Sequence, residues 1–182
     1  MTRPNAAAQR VLRFAAGALA LNTLTCCGGA AELAGQGPAY TRSSALLRSG
    51  YSETAIDDSH YQVRATGVAS APAAQIEKLA LTRAAEIGVE NKFRYFKVTN
   101  IRQAVECGKK QDVYKGGTQA ALSVRTVSLD VAYAKGNAPP DAAYLNADDS
   151  YARYAAALKT ETAAPETAAA AMAEAKAQCG AR

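Results

Sequence analysis

The chain has 182 residues, of which 49% are hydrophobic and 20% charged, with 21 basic and 16 acidic side chains, one histidine and four cysteines. That is the size and polarity of one ordinary domain with a modest core, and it leaves no room for several. Three of the basic residues, Arg3, Arg10 and Arg13, crowd the N-terminus; without them the balance is 18 to 16, a formal +2, so the pI near 9.1 makes no case for a nucleic-acid partner.

Those three arginines are followed by a short apolar run, Phe14 to Leu21, and then by small residues and Cys26-Cys27. Spanning a bilayer takes about 20 apolar residues, so the run is too short to cross one. It has the length and flanks of an export-signal core. No polar face interrupts it, which argues against an amphipathic helix lying on a membrane surface. Leu24-Thr25-Cys26-Cys27 resembles the bacterial lipobox, in which a leucine and two small residues precede the cysteine that is diacylated before cleavage. On this reading residues 1–26 are a lipoprotein signal peptide and Cys27 is the lipid-attachment residue. Cys26, standing where Gly or Ala is usual, is the alternative acceptor. The competing reading is a plain secretory signal cut near Ala30. Gly28 in place of Asp after the lipid cysteine points, by analogy with enteric lipoproteins, to the outer membrane.

Residues 27–50 are rich in Gly, Ala, Ser and Gln, contain Pro38 and show no sustained periodicity, the composition of a flexible tether. As a coil it would span roughly 25 Å root-mean-square. The body, residues 51–159, starts near Tyr51. Asp57-Asp58-Ser59 reads as a turn, and Tyr61, Val63, Ala65 and Gly67 alternate with polar residues as in a half-buried strand. Pro72 marks a helix start. Ile76, Leu79, Ala80, Arg83, Ala84 and Ile87 then share one helical face ending near Asn91. Phe93 to Thr99 is rich in aromatic and β-branched residues and predicts a strand. Gly108 to Asp112 and Lys115 to Gly117 read as loop.

A long strand is predicted over Leu122 to Tyr133. Leu122, Val124 and Thr126 share one parity and Val127, Leu129, Val131 and Tyr133 the other, which implies a bulge or bend near Thr126. Gly136, Pro139 and Pro140 end it. Asp148-Asp149-Ser150 is a candidate cap for a short helix from Tyr151 to Leu158. The tail, 160–182, is Ala-rich and either helical or disordered, with Pro165-Glu166 a start signal and Gly180 a stop. Alanine buries little area, so docking of such a helix depends on Cys179. The predicted order β-α-β-β is α+β: a small, mainly antiparallel sheet with one packed amphipathic helix and an Ala-rich C-terminal helical tail.

With Cys26 removed and Cys27 lipidated, Cys107 and Cys179 remain, an even pair suited to an oxidising compartment. A bridge would close a loop of about 70 residues, worth roughly 4 kcal/mol in the chain-entropy model; two free thiols are the alternative. Arg83 falls between Leu79 and Ala80 in the apolar stripe of its helix, where an unpaired charge is very costly. Glu86, three residues on, and Glu53 are its candidate partners in a structural ion pair. An anion site for a lipid phosphate or a peptidoglycan carboxylate is the functional alternative.

His60 stands beside a predicted turn, without cysteines or carboxylates at metal-ligand spacing. Asp57-Asp58 and Asp148-Asp149 read as turn and cap residues. Gly108 to Gly117, with Lys109, Lys110, Lys115 and Tyr114, is a small basic loop that suits a solvated hairpin better than a headgroup contact. Gly116-Gly117-Thr118 lacks the Lys-Ser/Thr ending of a phosphate-binding loop. No catalytic constellation, metal site or cofactor motif stands out.

Gly50-Tyr51-Ser52-Glu53, Tyr61-Gln62-Val63, Gly67, Leu81-Thr82-Arg83-Ala84-Ala85-Glu86 and Tyr95-Phe96-Lys97-Val98 occur in that order. Together they resemble a family of small proteobacterial envelope lipoproteins, itself uncharacterised in function, marked by a Gly-Tyr-Ser-Glu segment and an Arg-Ala-Ala-Glu helix. The resemblance covers residues 50 to 99; Val68 stands where that family often has Asn. It implies an exported, membrane-anchored protein and supplies no catalytic residues. The expectation is a non-catalytic envelope lipoprotein, lipid-anchored and facing the periplasm, that meets the membrane through acyl chains and has envelope proteins or peptidoglycan as candidate partners. A binding module for an anionic lipid or cell-wall fragment is the alternative. An envelope hydrolase would require His60 in a cleft beside a serine and a carboxylate.

Overall fold

In the strand His60–Val68 the residues at 61, 63, 65 and 67 are apolar or small, and a strand built this way needs a cover on one face only. The computed structural model, which describes residues 39–43, 49–108, 111–113, 117–119, 123–160 and 164–180, supplies that cover with helices. Its elements in chain order are β1 (Gly50–Ala55), β2 (His60–Val68), α1 (Ala73–Glu90), β3 (Tyr95–Glu106), β4 (Gln111–Val113), β5 (Gly117–Gln119), β6 (Val124–Ala134), β7 (Leu145–Asn146), α2 (Ala147–Thr160) and α3 (Pro165–Gly180). Five strands form an antiparallel sheet in the order β1-β2-β6-β3-β7, and β4 and β5 make a separate two-stranded ribbon. The fold is α+β.

The core lies between one face of this sheet and α1. Val63 and Ala65 of β2, Phe96 of β3, and Val127, Leu129 and Val131 of β6 meet Ile76, Leu79, Ala80, Ala84 and Ile87. Tyr133 is buried in the same layer, where its hydroxyl donates to the Ala84 carbonyl at 2.7 Å. Burial pushes its phenol up. α2 lies alongside α1, and Gly88 lets the two helices come this close: a Cβ there would sit 2.7 Å from that of Ala147. The opposite sheet face is polar and centred on Asp130. Its carboxylate accepts Arg102 at 2.7 and 2.8 Å, Gln62 at 3.1 Å and Asn100 at 3.1 Å, and is lowered to about 2, chiefly by the Arg102 hydrogen bond.

Several local expectations change. Gly50–Ala55 is a full edge strand, so the order begins β-β-α, and α1 and α2 together cover the core in place of one helix. β3 runs on to Glu106 because β6 offers an unbroken partner, although its second half is solvent-exposed. The predicted phase change in β6 does not exist: it pairs with β2 without interruption from Val124 to Ala132. The core parity continues through Arg125, a buried arginine that breaks the hydrophobic pattern without breaking the strand. The irregularity lies on β3, between Val98 and Asn100. Asn146, not Asp148 or Ser150, caps α2, its side-chain oxygen accepting the Asp149 N–H at 3.0 Å.

Candidate functional site

Helical phase puts Arg83 on the sheet-facing side of α1, and its side chain is only 9% exposed. Three glutamates surround it. Glu90, one turn beyond Glu86 on the same helix face, takes a fork of two hydrogen bonds at 3.0 Å each. Glu53, on the helix-facing parity of β1, accepts at 3.3 and 3.4 Å, and Glu86 accepts from Nη1. Arginine has five N–H donors, and here each has a carboxylate acceptor. The guanidinium also lies 5.1 Å from the centre of the Tyr51 ring. Burial alone would lower its pKa, but the hydrogen bonds to Glu90 and Glu86 outweigh that and the net movement is upward. With no donor free, Arg83 is not open to an external anion.

The same carboxylates reach residues that composition assigns to the tether. Tyr40 donates to Glu86 and Arg42 to Glu53. The Tyr40 and Tyr51 rings pack at 4.9 Å. The backbone joins in: Tyr51 N–H donates to Thr41 at 2.9 Å, and Ser43 N–H donates to Tyr51 at 2.7 Å. Gly50 is what permits this approach. Its φ is +124°, and a Cβ would lie 2.3 Å from the Thr41 carbonyl oxygen. Residues 39–43 therefore belong to the body, a correction to a tether over 27–50: the Tyr40–Tyr51 ring contact, a hydrogen bond to Glu86 and an ion pair to Glu53 hold a stretch whose composition alone looks structureless. Burial, then the bond to Glu86, pushes the Tyr40 phenol up. Tyr151 of α2 adds a third contact to Glu86 at 3.4 Å.

His60 is exposed at the start of β2. Asp57 accepts the backbone N–H groups of Ser59 and His60, each at 2.8 Å, an Asx-type turn that lowers its carboxyl to about 2, first through the Ser59 N–H and then through the His60 ring. Asp57 and Ser59 both approach Nδ1 of His60, at 2.8 and 3.2 Å. A nucleophile relay needs the serine and the carboxylate on opposite ring nitrogens, so this trio is a turn and not a triad. An open cleft of about 520 Å³ beside it is lined by Ile56, Asp58, Tyr61, Asn91 and Lys135, among others. A second, of about 340 Å³, lies between Tyr40, Thr82, Tyr151 and Leu158.

At the far end of the sheet Cys107, just past β3, is bonded to Cys179 of α3, with Cα atoms 5.5 Å apart. α3 buries Ala168, Ala171 and Ala175, and Glu174 pairs with Arg125 of β6 at 2.8 Å. Arg125 is a site residue missed by pattern reading; its signal was a charge on the core parity of a strand. Glu90 was missed too, though its spacing from Arg83 put both on one helix face. Cys26, Cys27, Gly28 and the lysines Lys109, Lys110 and Lys115 lie outside the described residues. Among the described residues no His/Cys/Asp/Glu group has metal-binding geometry, and no helix is long and apolar enough to cross a membrane. Comparison with known proteins finds no matching family model, no matching curated protein and no matching solved structure.

Proposed function

We infer that the protein is a non-catalytic lipoprotein of the bacterial envelope, anchored by acyl chains on Cys27 and carrying its small α+β body as a structural or interaction module on the periplasmic side of the outer membrane. The observation that carries this reading is the N-terminal order of three arginines, a short apolar run and Leu24-Thr25-Cys26-Cys27. A diacylglyceryl group supplies the two chains that stable anchoring takes. The bonded pair Cys107 and Cys179 suits an oxidising compartment.

The motifs that carry the resemblance to small proteobacterial lipoproteins support a structural role. Tyr51, Glu53 and Glu86 meet around Arg83 in one clamp, Gly50 admits Thr41 beside it, and the clamp holds the segment arriving from the N-terminus through Tyr40 and Arg42. From Cys27 to Ala39 a fully extended chain reaches at most about 40 Å, so the body works within that distance of its anchor. The saturated donors of Arg83 favour the structural reading over an anion site there, and envelope proteins or peptidoglycan are the proposed partners.

The intact mass of the mature protein from the membrane fraction tests the reading. A chain starting at Cys27 and heavier by a diacylglyceryl group is expected. An unmodified chain starting near Ala31 would overturn the anchor and the outer-membrane assignment together.

A further inference from the structure

Arg125 is the least comfortable side chain in the described structure. It projects from the core parity of β6, is 5% exposed, and its Nε has no hydrogen-bond partner among the described residues. Its Nη2 donates to the Ala171 carbonyl at 3.2 Å and to Glu174 at 2.8 Å. Both acceptors are on α3, and Glu174 is itself 53% exposed. The arginine is thus buried by a helix that also supplies its only carboxylate among the described residues.

That helix has little else to hold it. Among the described residues, this 16-residue helix fully buries only the side chains of Ala168, Ala171 and Ala175, three methyl groups, with Met172 half-buried beside them. A helix of this length is marginal alone in water and takes its stability from packing an apolar face. Besides these contacts and the Arg125 bonds, α3 is attached covalently by the bond from Cys179 to Cys107, with Ser123 Oγ 3.6 Å from the Cys179 sulfur.

We propose that α3 is a redox-releasable cap, with Glu174 occupying as an internal ligand a carboxylate-binding site at Arg125. The opening step is thiol–disulfide exchange with a dithiol. One thiolate of the dithiol attacks a sulfur of the Cys107–Cys179 bond, forming a mixed disulfide and releasing the other cysteine as a thiol. The second thiol of the donor then resolves the mixed disulfide. The protein gains two electrons and two protons as two thiols, and the donor leaves as its own disulfide. Among the described residues α3 is then held by the Arg125 bonds to Glu174 and Ala171 and by its three buried alanines, with no covalent tie. Its departure leaves a guanidinium with fork geometry suited to a carboxylate from another molecule.

Hydrogen exchange on the full chain, oxidised and after dithiothreitol, tests the cap, and the melting midpoint with glutarate tests the site. Reduction is expected to lower protection across 165–180 by about tenfold or more while amides of β2 and β6 keep theirs. Glutarate should raise the midpoint of the reduced protein by about 2 °C or more, leave the oxidised protein unchanged, and exceed sulfate at equal ionic strength. Glu174→Gln should increase the glutarate response of the reduced form, and Arg125→Met should abolish it. Continued protection of α3 after reduction would overturn the cap, as would loss of protection across the whole sheet. An opened α3 with no glutarate response, or one matched by sulfate, in both the reduced wild type and Glu174→Gln would overturn the site.

Discussion

Replacing Arg83 by methionine keeps the apolar stem along the face of α1 and removes only the guanidinium. Five hydrogen bonds to three carboxylates are lost, together with the stacking on Tyr51. What remains is worse than the lost contacts. Glu53 and Glu86 have side chains only 13% and 20% exposed, and both are left without their main counter-ion. Breaking a buried ion pair from one side costs about 3–5 kcal/mol, because a charge stays behind. Arg42 still meets Glu53, and Glu90 is half exposed, so the lower end applies: roughly 3 kcal/mol, or roughly 10 °C in a domain of this size. Thermal unfolding followed by circular dichroism measures it, with Glu86→Gln added to the same variant as the internal check. The double variant should recover part of the loss, since it removes one of the stranded charges. A single variant melting within about 2 °C of wild type would refute the clamp, and so would a double variant less stable than the single one.

Gly50→Ala adds a Cβ 2.3 Å from the Thr41 oxygen at a φ that alanine rarely adopts, so residues 39–43 should leave the body. Trypsin cleavage after Arg42 should speed up by about tenfold, with a smaller effect on the melting of the sheet. Gly88→Val should wedge α1 from α2, where even a methyl meets Ala147 at 2.7 Å, and lower stability by about 2 kcal/mol or more in urea titrations. Asp130→Asn should destabilise at neutral pH. The Asp130 carboxyl is lowered from 3.8 to about 2 in the folded state, so its stabilisation is present above pH 4 and disappears as pH falls through 2. Melting curves of the two proteins should therefore converge in acid; a gap that stays constant down to pH 2 would place the effect elsewhere.

Periodicity made the core legible: the alternation in β2, the stripe in α1 and the odd-numbered run Val127 to Tyr133 all face each other in the folded chain. Arg83 was legible for the same reason, as a charge standing inside an apolar stripe. Periodicity could not show β1, because its inward positions are Tyr51 and Glu53, chosen to meet an arginine and not a hydrocarbon. Nor could it show the docking of 39–43, which depends on a carboxylate 46 residues away and on the missing Cβ of Gly50. Arg125 misled it outright, because a charge on a core parity looks like a change of phase until a helix more than 40 residues downstream covers it.

The two buried arginines pose the same physical problem and are answered alike. Each stands on the helix side of the sheet layer, and each is neutralised by carboxylates of which one arrives from a distant part of the chain: Glu53 for Arg83, Glu174 for Arg125. At Arg83 every donor is met, an aromatic ring lies over the guanidinium, and the partners sit on rigid elements, so the site behaves as a permanent fastener for the incoming N-terminal segment. At Arg125 one nitrogen is unmet among the described residues, and the carboxylate rides on a helix whose fully buried side chains there are three alanines. The difference in satisfaction predicts a difference in dynamics. Local opening should begin at α3 and spare the Arg83 clamp, and hydrogen exchange that ranks the two ends in the opposite order would show that ion-pair satisfaction does not govern which end of this chain comes loose first.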